Sequence, residues 1–157
     1  MKHNREDEMS VQIEERFELL SDRNSRVAYK ALQDLQRVSE ETGSVYPYMD
    51  RLMEMLDSMN SYVRTRGLTL IACNAKWDQD GKINESLDKI LGHVTDVKPI
   101  AARQCIRLLP VIAEYKPELR NRILSALEQA DLSVYGESMQ SLVSRDIQKV
   151  LNDIRKF

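Results

Sequence analysis

The chain has 157 residues, of which 42% are hydrophobic and 31% charged, and its formal net charge is −2. That is about one domain's worth of chain, long enough to bury a core without a disulfide or structural metal. The charge balance excludes a global drive toward nucleic acid or anionic membrane, and five Gly and four Pro argue against a loop-rich β fold.

The opening Met1-Lys2-His3-Asn4-Arg5-Glu6-Asp7-Glu8 is charged and lacks the apolar stretch of a signal peptide. It reads as a disordered, solvated tail over 1–8, followed by a single domain over 9–157. From Met9 the apolar spacing is helical, with Val11, Ile13, Phe17 and Leu20 before the break Ser21-Asp22-Arg23-Asn24. Val27, Ala31, Leu35 and Val38 mark a second helix, which Gly43 ends. Pro47 suits the first turn of a third helix, where its missing N–H costs nothing, and Met49, Leu52, Met53 and Leu56 form its stripe. After Asp57-Ser58-Met59-Asn60, a fourth helix carries Val63, Gly67, Leu70, Ile71 and Asn74 and runs to about Trp77.

Asp78-Gln79-Asp80-Gly81 is a turn. Its outline resembles part of a calcium loop, but Lys76 and Leu87 stand where the first and twelfth ligands are needed, so a plain helix-linking turn is expected. Ile83, Leu87, Ile90, Leu91 and Val94 make a fifth helix. Pro99 opens a sixth with Ala102, Cys105, Ile106, Leu109 and Ile112, and Pro110 inside it predicts a kink. Pro117 opens a seventh with Leu119, Ile123, Ala126, Leu127 and Ala130. The eighth runs from about Val134 to the end along Tyr135, Met139, Leu142, Val143, Ile147, Val150, Leu151 and Ile154. No apolar run approaches the roughly 20 residues of a membrane span.

The helices repeat. Asp22, Ser58 and Asp96 are 36 and 38 residues apart. Before these breaks Ile13, Met49 and Leu87 align, as do Phe17, Met53 and Leu91. After them Val27, Val63 and Ala101 align, then Ala31, Gly67 and Cys105, then Leu35, Ile71 and Leu109. Small residues recur where one helix must approach its neighbour closely, and large apolar residues recur where a continuous core must be filled. Four copies are expected, at about 9–41, 46–77, 83–115 and 117–157, the last with a second helix that does not align, as suits a terminal cap.

The segment Leu20-Ser21-Asp22-Arg23-Asn24-Ser25-Arg26-Val27, with Ala31-Leu32 after it, resembles the HEAT repeat. Tyr62-Val63-Arg64 supplies that family's Val-Arg in the second copy, and Asp96 its turn Asp in the third. Ala28 and Ala101-Ala102 depart from the pattern, as does the lack of an Asp in the second turn. The resemblance covers about 9–131. It implies an all-α, right-handed α–α superhelix (α-solenoid) of about four HEAT-like helix pairs. Asn60–Gly67, Asn74–Asp78 and Lys98–Ile106 are also similar to stretches of short HEAT-like chains that carry a SufBD label, a name borrowed from β-helical scaffold subunits of iron–sulfur assembly.

In HEAT-like stacks the first helices line the convex side and the second helices the concave side. Glu14, Glu15, Glu18, Asp50, Glu54 and Asp57 make the first helices acidic. Helical geometry turns Lys30, Gln33 and Arg37, then Arg66, Thr69, Cys73 and Lys76, then Arg103 and Arg107 away from the core. These rows form a mildly basic concave face, read either as a groove for an acidic peptide, helix or phosphate backbone, or as an ordinary solvated face. Trp77 beside it is a candidate binding anchor or base-stacking platform, or else a plug between neighbouring loops. The expected contact residues are Lys30, Arg37, Arg66, Lys76, Trp77, Arg103 and Arg107.

No catalytic constellation emerges. His3 lies in the tail and His93 reads as a surface residue. No Gly-rich phosphate loop or metal-ligand motif occurs, and no cofactor is expected. Cys73 and Cys105 read as buried free thiols in a reducing, cytoplasmic setting. Met49, Met53, Met55 and Met59 read as core filler. The expected function is therefore a non-enzymatic scaffold or adaptor with a protein or peptide partner and no membrane. Nucleic-acid binding by the same face is the alternative. A third reading rests on Trp77-Asp78, which is similar to the aromatic-plus-aspartate pairing of HEAT-like DNA glycosylases for alkylated bases.

Overall fold

The computed structural model describes residues 2–157, with the backbone alone for 2–4, 6 and 7. Helices α1 (Lys2–Leu19) and α2 (Ser25–Glu41) form the first pair. A 3₁₀ turn over Tyr46–Tyr48 leads into α3 (Met49–Met55), which pairs with α4 (Ser61–Cys73). In the third pair α5 (Lys82–Glu85), α6 (Leu87–Leu91) and the 3₁₀ turn Gly92–Thr95 lie opposite α7 (Pro99–Tyr115). The 3₁₀ turn Pro117–Leu119, α8 (Arg120–Glu128) and α9 (Glu137–Arg155) complete the stack. α4 packs on both α2 and α7, and α7 packs on α9. The second helices thus form one continuous inner layer, and the fold is an all-α superhelix of stacked helix pairs.

The helix starts follow local chemistry. Asn24 and Asn60, 36 residues apart, cap α2 and α4: the Asn24 Oδ1 accepts from Arg26 N at 3.0 Å, and the Asn60 Oδ1 from Tyr62 N at 2.9 Å. Pro99 occupies the first turn of α7, where no intrahelical N–H is needed. That helix runs through Pro110 to Tyr115. Gly81, at φ 70°, is the one described residue in the left-handed region and lets the chain reverse into α5.

Four features differ from the sequence-based reading. Residues 2–8 are the first turns of α1, not a disordered tail. They contain no Gly or Pro and are rich in helix-compatible charged residues, so they extend the helix while Arg5 and Glu8 stay exposed; Met1 lies outside the described residues. The expected fifth helix breaks at Ser86 and tightens after Leu91. His93 is largely buried, with Nδ1 2.8 Å from Asp96 Oδ2. Of the methionine cluster, Met49 and Met53 are buried and Met55 packs against the core, whereas Met59 sits fully exposed on a turn.

The core runs the length of the stack, from Ile13, Phe17 and Leu20 through Leu52, Leu70 and Ile71 to Leu109, Ile123 and Val150. Buried side chains of this size each contribute roughly 1.5–3 kcal/mol relative to exposure. The small-residue row sets how closely the layers approach. A Cβ on Gly67 would lie 3.0 Å from Met55 Cβ and 3.2 Å from the Leu52 carbonyl oxygen, so α4 rests almost directly on α3.

Polar ties join successive pairs. Asp96 is 5% exposed and accepts from Arg64 through both carboxylate oxygens, at 2.9 and 2.7 Å. Its Oδ1 also accepts from Lys98 N at 2.8 Å, and its carbonyl oxygen accepts from the Tyr135 hydroxyl. Burial alone would raise its pKa. Arg64, the Lys98 N–H and His93 outweigh that and hold the carboxyl at about 2, below the ordinary 3.8. A second hub forms at Asp78, which accepts from the Tyr46 hydroxyl at 2.6 Å, from Lys116 Nζ at 3.0 Å, and from the N–H groups of Lys82 and Ile83. On the outer face Arg51–Glu14, Lys82–Asp50, Lys89–Asp57 and Arg122–Asp88 each pair one copy with the next.

Two outcomes follow for stability. Gly67→Ala gains about 1 kcal/mol of helix propensity, but the overpacked contact costs about 1–3 kcal/mol. Urea denaturation should therefore give a lower midpoint, and a raised midpoint would show that α3 and α4 have slack. Because the folded pKa of Asp96 lies below its unfolded value, its stabilisation is full above about pH 4 and is lost as pH falls toward about 2, roughly 2 kcal/mol in all. Asp96→Asn should destabilise the fold at neutral pH by about 3–5 kcal/mol, since it leaves Arg64 buried without an anion. It should also flatten this acid limb. An unchanged stability–pH profile would remove Asp96 from that role.

Candidate functional site

The inner layer carries a groove of about 510 Å³ at the N-terminal ends of α2, α4 and α7. α2 contributes Arg26, Tyr29 and Leu32. α4 contributes Tyr62, Arg66 and Thr69, and α7 contributes Ile100, Gln104 and Arg107. Tyr29, Tyr62 and Ile100 are 59%, 65% and 74% exposed, a cluster of large apolar surface left in solvent. No Asp or Glu lines the groove.

The cations of the inner face divide into two kinds. At one end Asp34 gathers Lys30 (2.9 Å), Arg16 (3.1 Å) and Arg37 (3.9 Å). The Lys30 hydrogen bond, against some burial and with help from Arg16, holds the Asp34 carboxyl below its ordinary value. At the other end Asp146 binds Arg103 at 2.6 Å and lies 4.0 Å from Arg107. Between them Arg66 is 9% exposed. Its Nη1 donates to the Leu20 carbonyl at 2.8 Å, and its Cζ lies 6.0 Å from the centre of the Tyr62 ring. Among the described residues no carboxylate pairs with it, and burial pulls its pKa below the usual value.

Of the residues expected from sequence to make contacts, Arg66 and Arg107 line the groove. Lys30, Arg37 and Arg103 lie on the same layer but are tied to Asp34 and Asp146. Lys76 Nζ donates to the Glu40 carbonyl and sits 5.3 Å from the Trp77 ring. Trp77 packs its ring where a Cβ on Gly43 would meet it at 3.6 Å, and its Nε1 donates to the Ser39 carbonyl at 2.7 Å. It plugs the junction of the first two pairs and lines no part of the groove. Asp78 beside it is spent on Tyr46, Lys116 and the start of α5. Trp77-Asp78 therefore does not offer an open aromatic face with a free carboxylate, as the glycosylase-like reading required.

Sequence reasoning missed Tyr29, Tyr62 and Ile100. The repeat register contained the signal: Arg26, Tyr62 and Ile100 align at spacings of 36 and 38, each one residue before the aligned Val27, Val63 and Ala101. An aromatic or Ile at a position that faces away from the core is the mark of surface left for something else.

Cys105 is fully buried, and burial pushes its thiol up to about 12. Cys73 is half-buried, its Sγ 4.0 Å from Gln36 Nε2, and burial raises its pKa as well. Both are poor nucleophiles in this state. Among the described residues no group of three His, Cys, Asp or Glu side chains could hold a metal ion, and no helix is long and apolar enough to cross a membrane.

Stacked helix pairs with a shared inner layer and a groove across three copies define an α-solenoid. The model of the HEAT repeat domain matches residues 3–151, and the chain belongs to the HEAT-repeat family. No curated protein and no solved structure matches it. HEAT repeats generally serve as protein-interaction scaffolds.

Trp77→Phe should keep the ring packing but lose the bond to the Ser39 carbonyl. A thermal melt should show a loss of about 1 kcal/mol, with amide NMR signals of Tyr29, Tyr62 and Ile100 unmoved. Shifts at those three residues would tie Trp77 to the groove after all.

Proposed function

We propose that the chain is a non-enzymatic interaction module whose inner groove receives an acidic segment of a partner protein. The observation that carries this reading is the groove's chemistry: exposed Tyr29, Tyr62 and Ile100 beside three arginines, with no acid among the lining residues. Tyr and Arg are the side chains most enriched where interfaces concentrate their binding energy. The groove's volume lies within the usual range for binding pockets, roughly 300–1,000 Å³, so it takes a few side chains. The rest of an extended partner would run along the inner layer, as repeat proteins allow. Cys73 and Cys105, unbridged, fit a reducing compartment such as the cytoplasm.

Nucleic acid is the second reading, since tyrosines can stack on bases and arginines can hold phosphates. The pairing of Lys30, Arg37 and Arg103 with carboxylates leaves few cations free for a phosphate backbone. A protein partner is therefore favoured.

The test is affinity capture from native lysate with three forms of the chain: wild type, the groove variant Tyr62→Ala/Ile100→Ser, and the outer-face variant Arg122→Ala. A protein held by wild type and Arg122→Ala, and bound at least about ten-fold more weakly by the groove variant once purified, is the expected result. Equal capture by all three forms would refute the groove. Capture of nucleic acid, with affinity falling steeply with salt, would replace a protein partner by the second reading.

A further inference from the structure

Arg66 is the feature that the fold does not account for. A guanidinium has five N–H donors, and the Leu20 carbonyl takes one of Arg66's. Burying a charge without an ion pair is costly. Its neighbour Arg64, two residues away and equally buried, is satisfied by both oxygens of Asp96 and by the Ser58 and Met59 carbonyls. The two inner-layer acids that flank the groove, Asp34 and Asp146, are used on other cations. Arg66 stands between them on the wall of the groove, with Tyr62 beside it and Ile100 exposed nearby.

We propose that Arg66 is the anchor for a single carboxylate, carried by an acidic side chain or chain terminus that lies next to an aromatic or large apolar group. This rests on the groove reading and names the group recognised there. The forked guanidinium matches a carboxylate with two parallel N–H···O bonds. The low-polarity wall strengthens that pair relative to water, while Tyr29, Tyr62 and Ile100 take the adjoining ring or aliphatic chain. A carboxylate brings one negative charge to one buried cation. A phosphate dianion would bring excess charge to a site whose other two arginines, Arg26 and Arg107, sit at the solvent edge.

The probes are N-acetyl-phenylalaninate, the matching N-acetyl-phenylalanine amide, and phenyl phosphate, titrated into ¹⁵N-labelled full-length protein. Backbone amides and arginine Nε–Hε signals are followed by NMR. The acid should shift Tyr62, Thr65, Gln104 and the Arg66 Nε–Hε signal saturably, and bind about ten-fold more tightly than the amide. Arg66→Met, which keeps the length of the stem, should abolish that preference while leaving weak binding of both. Equal binding of acid and amide to the wild-type chain overturns the anchor, and this comparison needs no variant to fold. Tighter binding of phenyl phosphate than of the acid overturns the carboxylate assignment. If equal acid and amide binding accompanies loss of the captured partner in Tyr62→Ala/Ile100→Ser, the groove stands and only the anchor falls. If that variant keeps the partner, the groove reading itself falls.

Discussion

Asp96 is the residue through which three helix pairs are held at once. Its carboxylate receives Arg64 from the second pair, its own backbone starts the turn into α7, and its carbonyl receives Tyr135 from the last. A carboxylate this deeply buried is tolerable only because every lone pair is answered. The same logic governs Asp78 at the opposite end of α7, with Tyr46 and Lys116 as its partners from the flanking copies. Apolar packing between layers is permissive about register, whereas these bidentate and charge-assisted bonds are not. They fix how far each pair is rotated on the last, and so where the ends of α2, α4 and α7 converge to make the groove.

Much of this was legible in the sequence because helix periodicity and repeat spacing are strong signals. Ile13, Phe17, Leu35, Leu70, Ile71 and Leu109 were assigned to the core from spacing alone, and all are buried. Where reading failed, the cause was polar pairing that a tally of apolar spacing does not show. His93 looks like a surface residue until Asp96 is brought against it. Trp77, read either as an anchor or as a plug between loops, packs as the plug because Gly43 makes room for its ring. Lys30, Arg37 and Arg103 form a basic stripe on a helical projection, but Asp34 pairs with Lys30 and Arg37 along the same helix, and Asp146 reaches Arg103 once α7 and α9 are side by side. Arg66 was placed on the exposed face by the same projection, and it is buried because α4 is the central helix of the inner layer, covered from both sides. Residues 2–8 show the opposite error: a charged composition suggested disorder, although nothing in it breaks a helix.

The groove's position follows from this arrangement. The outer faces are dressed with cross-copy ion pairs. On the inner face Asp34 and Asp146 flank the groove, whose own lining holds no acid. Charge and apolar surface therefore coincide at one place, where three copies contribute side chains from the same helical turn. A single helix pair could not assemble it.

The polar ties also have a kinetic meaning. Arg64–Asp96, Asn74–Ser39, Trp77–Ser39, Lys116–Asp78 and Tyr135–Asp96 join residues 32 to 39 positions apart. Each closes a loop of about one repeat, and the entropy of closing such a loop rises only slowly with length. No tie in this set waits for the two ends of the chain to meet. Structure can then start at the middle pairs and grow outward by neighbour-to-neighbour steps, as expected for a quasi-one-dimensional stack. The terminal pairs, with one neighbour each, are the first to open, so the groove loses its α2 wall before the part carried by α4 and α7.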